Sequence, residues 1–361
     1  MGLGGAGVVP RKPSAPPTAF YPLTVAAVEP LTDDAAAITF DVPPALADAF
    51  TFLPGQSLTV RRDGERRSYS ICAPPGRPPR IGVREVPGGA VSPWLVREVR
   101  PGDVVDVQPP SGAFTPGSSP AGERHVLVAA GSGITPVLSI AWALLRAGAQ
   151  VTLVYGNRRA DTVMFADEVA DLKDAHPARM RLVHVLSREA QEVDLFSGRL
   201  DTAKLRALLP VTVDVAAVDD WWLCGPFGMV EAAIGVLTEC GVPRSRVHRE
   251  LFYVEDTPPP ALEHAEQAGP GAEVTVILDG RATVVTVPPG TPILDGAQRA
   301  RADLPFACKG GVCGTCRALL TDGKVTMRRN FALEDNELAA GYVLTCQSLP
   351  ATDTVTVDYD S

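Results

Sequence analysis

Nowhere in the 361-residue sequence does an uninterrupted apolar run approach membrane-spanning length, so no bilayer span is expected. Basic tracts are lacking too. Thirty-three Lys and Arg stand against 42 Asp and Glu, for a net charge of −9. Binding a phosphate backbone takes clustered cations, so the balance argues against a nucleic-acid partner. It is compatible with electrostatic docking to another protein. The first residues, M-G-L-G-G-A-G-V-V-P-R-K-P, lack the charged start, apolar stretch and cleavage site of a signal peptide. Their Gly and Pro content predicts a disordered tail over 1–17, and the location expected is cytoplasmic. Internal repeats are absent as well.

Forty-five per cent hydrophobic content is enough for real cores, and the length calls for two or three domains. The first hundred or so residues carry short apolar runs, such as 57–61 and 81–86, divided by Pro and Gly. That is an all-β pattern, sandwich or barrel. From His125 the pattern changes. A continuous apolar strand over 125–130 is followed by G-S-G-I-T-P and a helical repeat, with Pro136 in the first turn and Gly148 as the stop. A second strand follows over 151–155, giving a strand–helix–strand unit and a parallel α/β sheet. The segment from Val254 to Ala272 is rich in Pro, Gly and Glu, without apolar periodicity, and reads as a linker.

Four of the seven cysteines carry the sharpest signal. Cys308, Cys313 and Cys316 stand in C-K-G-G-V-C-G-T-C-R, and Cys346 follows in L-T-C-Q-S. C-x4-C-x2-C, a long gap, then C is the spacing of a plant-type [2Fe–2S] site held by four thiolates. Gly310, Gly311 and Gly314 are expected to give the loop close approach and positive φ. Its N–H groups are expected to face the negative sulfides. A structural zinc site usually pairs C-x2-C with a second close pair, which is missing. Nothing in the sequence suggests the secretion that disulfides would require. Cys72 and Cys240 are expected to be small buried hydrophobes.

Several polar clusters are ambiguous taken singly. In Arg67-Ser68-Tyr69-Ser70, an Arg can hold a phosphate, a Tyr ring can lie on an aromatic ligand and a Ser can hydrogen-bond it. A solvated edge strand fits the same residues. Gly88 to Ser92 offers donors for a phosphate, or an ordinary turn. Gly131 to Pro136 sits between a strand and a helix N-terminus, where a pyrophosphate is favoured, although it is not G-x-G-x-x-G. Trp221 to Met229 gives another strand entering a Gly/Pro turn.

In the order R-x-Y-S, G-x-x-S, G-S-G-I-T-P, C-G-P-x-G-M and E-L-F, these pieces over residues 18 to 253 resemble the ferredoxin–NADP reductase superfamily. Residues 272 to 361 resemble plant-type ferredoxins. With V-Y-G-N-R-R, H-V-L-S-R-E and L-F-S-G-R-L-D, the whole is similar to the family of phenylacetyl-CoA epoxidase reductase subunits, electron-supply components of bacterial multicomponent oxygenases. The resemblance implies a multidomain fold. Its parts are a β-barrel FAD domain over 18–118, an α/β parallel-sheet NAD(P) domain over 119–253, a linker over 254–271 and an α+β β-grasp [2Fe–2S] domain over 272–361.

The resemblance also implies roles. Arg67 would hold the flavin phosphate, with Ser68 in the same motif; Tyr69 would lie on the isoalloxazine and Ser70 near its N5. Gly89, Val91 and Ser92 would hold the FAD pyrophosphate. Gly131, Gly133, Thr135 and Pro136 would form the nicotinamide-nucleotide phosphate loop. Cys224, with Gly225 and Pro226, would stand beside the nicotinamide. Glu250 and Phe252 match a Glu-x-aromatic ending whose ring covers the flavin, with Phe where Tyr is more usual. Ser70, Cys224 and Glu250 are the catalytic candidates. Ser187-Arg188, after a strand over 181–186, resembles the pair that binds the NADPH 2′-phosphate, and the strand over 151–155 ends in Gly156-Asn157-Arg158-Arg159 with no acid until Asp161; solvated surface arginines fit the same residues.

The function implied is electron transfer from NADPH through FAD and [2Fe–2S] to an oxygenase component, a diiron hydroxylase. Two other functions remain open on sequence alone. One is an NADH-dependent reductase of a Rieske-type or other multicomponent oxygenase, with either FAD or FMN. The other is a redox-sensing electron-transfer module.

Overall fold

Short apolar runs broken by Pro and Gly become six antiparallel strands at the start of the chain. They are β1 (Tyr21–Thr32), β2 (Ala35–Asp41), β3 (Ser57–Arg62), β4 (Glu65–Ser70), β5 (Arg80–Arg84) and β6 (Val104–Val107), with one short helix, α1 (Ser92–Arg97). The sheet order is β4-β3-β6-β1-β2-β5. A bridge between Ile71 and Ile81 brings the two edges together and closes the sheet into a barrel. Leu23, Ile38, Phe40, Leu58, Val60 and Leu95 fill it. The computed structural model describes residues 19–117, 121–252, 271–306, 308–333 and 335–361. The tail expected over 1–17 lies outside these residues, as does the linker expected over 254–271 except its last position.

A parallel sheet follows. Its elements are β7 (Arg124–Ala130), α2 (Ile134–Ala147), β8 (Gln150–Asn157), α3 (Ala166–Ala175), β9 (Met180–Leu186), α4 (Thr202–Thr212), β10 (Asp220–Cys224), α5 (Phe227–Glu239) and β11 (Val247–Glu250). The order is β11-β10-β7-β8-β9, every pair parallel. β7 reads as a continuous apolar run because helices cover both its faces. Leu127 and Ala129 pack with residues of α2 and α3, while Val126 and Val128 pack with α4 and α5. Gly148, at φ +93°, ends α2 as the sequence predicts. The first connection runs from β7 to β8 on one side, and β10 returns to the other side of β7. The crevice at the carboxyl ends of β7 and β10 is therefore the topological switch point, where open α/β sheets bind ligands.

The last unit is a mixed sheet in the order β13-β12-β18-β14-β16, from β12 (Ala272–Leu278), β13 (Arg281–Val287), β14 (Arg317–Asp322), β16 (Tyr342–Leu344) and β18 (Thr354–Asp358). β15 (Val325–Met327) pairs separately with β17 (Ser348–Pro350). The helices α6 (Ile293–Ala297) and α7 (Asp335–Ala339) complete the β-grasp. Its core is its own: Val274, Val276, Ile293, Leu294, Leu304, Leu344 and Val357 pack together.

The units also share surfaces. Ala35, Ala37, Cys72 and Phe114 of the barrel belong to the same buried cluster as α2 and α3. Ser139 Oγ donates to Ala73 O at 2.7 Å across that boundary. Val312 and Phe331 of the third unit pack into the cluster around α4 and α5, where Phe227 meets Phe331 edge-on at 5.3 Å.

One expectation is corrected here. Cys72 is buried as expected, but Cys240 is exposed. The buried stripe Val230, Ala233, Val236, Leu237 of α5 would bring position 240 inward if the helix went on. The helix stops at Glu239, and Cys240 is its cap.

Candidate functional site

Strand alternation sorts the R-S-Y-S motif. Arg67 and Tyr69 leave β4 on one face, and Ser68 and Ser70 leave on the other. Arg67 is half exposed and pairs with Glu65 at 2.9 Å. Burial pushes the Tyr69 phenol up, against the Arg67 charge and a hydrogen bond with Ser92. Ser68 shares a 3.1 Å hydrogen bond with Thr59. Ser92 opens α1 and accepts from Val86 N–H at 3.0 Å, while Gly89 donates to Val86 O at 2.9 Å. Val91 is buried beside them. The segment expected at the pyrophosphate is thus one tight turn, tied to Tyr69 through Ser92.

Ser70 Oγ donates to Glu250 Oε2 at 2.9 Å across the barrel and the parallel sheet. Glu250 ends β11, opposite Cys224 in the parallel register. The three catalytic candidates therefore meet, although they lie far apart in sequence. Burial raises the Glu250 carboxyl to about 7, with the Ser70 bond opposing. Burial, then the Glu250 carboxylate, pushes the Cys224 thiol up. A neutral thiol beside a carboxyl that is about half protonated at neutral pH makes a weakly charged wall.

At the switch point Gly133 lies against β10. A Cβ there would stand 2.1 Å from Cys224 O, so only glycine fits. Gly225 faces back, with Ala130 N 3.1 Å from where its Cβ would be. Thr135 Oγ1 donates to Ser132 O at 2.9 Å, and Pro136 sits buried in the first turn of α2. Pro226 precedes α5 and is exposed. The two glycine turns expected at the nucleotide thus face each other across β7 and β10.

Arg158, Ser187 and Arg188 also come together. Ser187 N–H donates to Asn157 O at 2.9 Å and Arg188 N–H to Arg158 O at 2.8 Å, and both arginines are exposed. Sequence reasoning missed an acid there. Glu189 Oε2 accepts from Ala160 N–H at 2.9 Å, closer in space than its number suggests. Asp161, the acid it did count, pairs with Arg159 at 3.1 Å. Phe252 follows the buried Leu251 and is 37% exposed at the edge of the described residues.

The four candidate ligand cysteines form two pairs. Hydrogen bonding from Cys313, helped by the N–H groups of Gly310, Val312 and Cys313, pulls Cys308 down to about 5 and leaves Cys313 raised. Bonding with Cys316 likewise lowers Cys346 and raises its partner. Gly310 N–H donates to Cys308 Sγ at 3.3 Å. Among the described residues no three or more such side chains gather on a single metal point. Two facing thiol pairs suit two irons better than one tetrahedral zinc, and the loop N–H groups suit the thiolate charge. One detail is corrected: positive φ falls on Gly311 (+79°), Gly314 (+67°) and Lys309 (+50°), not on Gly310. Gly310 instead supplies the N–H that meets sulfur.

Arg67 and Cys308 line one cleft of about 420 Å³, with Glu65, Gln298, Phe306 and Lys309. The R-S-Y-S strand and the cysteine loop thus line the same cleft.

Three families match in the order of the three sheets. They are the oxidoreductase FAD-binding domain over 22–115, the oxidoreductase NAD-binding domain over 127–234 and the 2Fe-2S iron-sulfur cluster binding domain over 276–351. The chain is 42% identical over 357 residues to a subunit of the 1,2-phenylacetyl-CoA epoxidase of Escherichia coli K12, covering 95% of this chain and 99% of that one. It is 34% identical to the ferredoxin reductase component of 3-ketosteroid-9-alpha-monooxygenase of Rhodococcus rhodochrous, covering 93% and 96%. The solved phthalate dioxygenase reductase shares the fold at a TM-score of 0.59 and 24% identity, covering 94% and 98%. Among the described residues no helix is long and apolar enough to cross a membrane. The chain belongs to the family of the phenylacetyl-CoA epoxidase reductase subunits, and it is an NAD(P)H-dependent flavin and iron–sulfur oxidoreductase of the ferredoxin-reductase type.

Proposed function

We propose that the chain carries electrons from NADPH by way of FAD and a [2Fe–2S] cluster to an oxygenase component, the diiron hydroxylase of a phenylacetyl-CoA epoxidase. The supporting observation is the cleft that Arg67 and Cys308 line together. A bound flavin accepts hydride and releases electrons singly, as a one-electron cluster requires.

The chain's own residues do the rest. Arg67 would hold a flavin phosphate by charge, and Tyr69 and Ser92 would form the barrel surface that receives the flavin. Ser70 is kept in place by its bond to Glu250 at 2.9 Å, and its hydroxyl oxygen would stand at the reacting edge of the flavin. Cys224 and the glycine turns at 131–133 and 225–226 receive the nicotinamide nucleotide at the switch point. Arg188 and Arg158 favour the 2′-phosphate, since a guanidinium fork matches two phosphate oxygens. Cys308, Cys313, Cys316 and Cys346 supply thiolates. The cytoplasmic location expected from the sequence fits thiols that stay reduced until metallated.

Purified protein should contain FAD and a [2Fe–2S] signal, both reduced by NADPH. Cys346→Ala should lose the cluster spectrum and cytochrome c reduction while keeping NADPH oxidation by ferricyanide. A normal cluster signal in that variant, or FMN in the wild type, refutes the assignment. Epoxidation by the purified oxygenase component with this chain and NADPH tests the partner.

A further inference from the structure

The doublet Arg66-Arg67 is split between two tasks. Arg67 faces the cleft. Arg66 is 8% exposed and reaches into the ferredoxin unit. Its Nη1 donates to Leu304 O and its Nη2 to Ala302 O, each at 3.1 Å, across 238 and 236 positions of sequence. Its guanidinium lies 4.4 Å from the Phe306 ring centre and 5.1 Å from that of Phe20.

Burying this side chain in the docked state has a cost that its contacts must offset. A buried guanidinium loses hydration. Arg66 also stands directly opposite Arg61 in the β3–β4 register, a like-charge pairing that destabilises a sheet. Arg61 is relieved by Asp106 at 2.7 Å. Arg66 has carbonyls for partners, and the neighbouring acid Asp303 is held by Arg301 at 2.7 Å. Those carbonyls and the Phe306 ring all lie on 302–306, the segment that leads into Cys308. Apart from the Phe20 ring on the barrel side, its favourable contacts therefore exist only when that segment is docked on the barrel.

We propose that Arg66 is a positioning residue for electron transfer between flavin and cluster, clamping segment 302–306 so that Cys308 is held beside the flavin strand. The inference rests on the electron path proposed above. One electron leaves the reduced flavin and one is gained by the cluster, so the step depends on how the two units are held and not on proton chemistry at Arg66.

The test uses the full chain with both cofactors and compares wild type with Arg66→Met, which keeps an apolar stem, and Arg66→Lys, which keeps charge without the fork. Rapid mixing with NADPH separates flavin reduction from cluster reduction. Cluster reduction should slow about tenfold or more in Arg66→Met, a change of about 1.4 kcal/mol in barrier. Flavin reduction, cofactor content and the cluster's potential should stay as in wild type. Arg66→Lys should recover part of the rate. Amide hydrogen exchange over 299–306 should be faster in both variants, with or without NADPH.

Unchanged cluster reduction overturns the proposal, as does unchanged exchange over 299–306. Loss of flavin or cluster from both variants also overturns it, by assigning Arg66 to cofactor retention. If wild-type flavin never reduces the cluster, the functional reading itself has failed, and that result is read without any variant.

Discussion

Replacing Glu250 with Gln keeps the side chain's shape and removes its ability to ionise. Burial raises this carboxyl from 4.5 to about 7, and the Ser70 hydrogen bond only partly opposes the shift. The folded state therefore favours the protonated form. Its contribution to stability is complete below about pH 4.5 and is lost as pH rises through 7. One unit corresponds to about 1.4 kcal/mol, so the whole loss over 2.5 units comes to about 3.4 kcal/mol. About 2.5 kcal/mol of it falls between pH 5 and pH 8. Gln has nothing to ionise, so Glu250→Gln should gain on the wild type across that window. For a unit of this size the gain corresponds to a Tm gap that widens by about 5–10 °C. Thermal melts of both proteins at four pH values from 5 to 8, with and without flavin, measure it. A gap that stays constant across the window would refute the burial argument. Ser70→Ala removes the bond that favours the ionised form, so the same window should move to higher pH.

Two further outcomes are expected. Arg188→Ala should raise KM for NADPH about tenfold or more, the weight of one charge-assisted hydrogen bond, and leave NADH kinetics nearly unchanged, with Arg158→Ala acting in the same sense but less; equal losses with both nucleotides would show that these arginines do not read the 2′-phosphate. Gly133→Ala pushes a methyl to 2.1 Å from Cys224 O, so it should destabilise by about 3 kcal/mol or more and depress nucleotide binding, and a wild-type Tm would contradict this close approach.

The parts of the fold visible in the sequence were those governed by local rules. The apolar run of β7, the Gly148 stop and the cysteine spacing each depend on neighbours within a few positions. The Ser70–Cys224–Glu250 meeting was reachable only through the resemblance, because its contacts span the barrel and the parallel sheet. Arg66 was invisible for a different reason: in R-R-S-Y-S either arginine could be solvated, and only the docked ferredoxin unit distinguishes them. Glu189 was missed because acids were counted along β8, while β9 delivers its own acid by pairing alongside. Cys240 was misjudged because helical periodicity does not say where a helix ends. Lys309 takes a left-handed position expected of its glycine neighbours, while Gly310 gives its N–H to sulfur.

The Ser70–Glu250 bond spans 180 positions of the chain, and that separation has a consequence during synthesis. The last barrel strand ends at Val107, and four of the five parallel strands are complete at Cys224. Glu250 closes a four-residue edge strand that emerges after all of them. At about 5–20 residues per second, the barrel waits on the order of ten seconds for its carboxyl partner. A nascent chain cut between 225 and 246 therefore carries a complete barrel and most of the parallel sheet, yet leaves Ser70 with no partner at position 250. Completion of the Ser70–Glu250 contact thus marks the moment at which the first two units have both been made and joined.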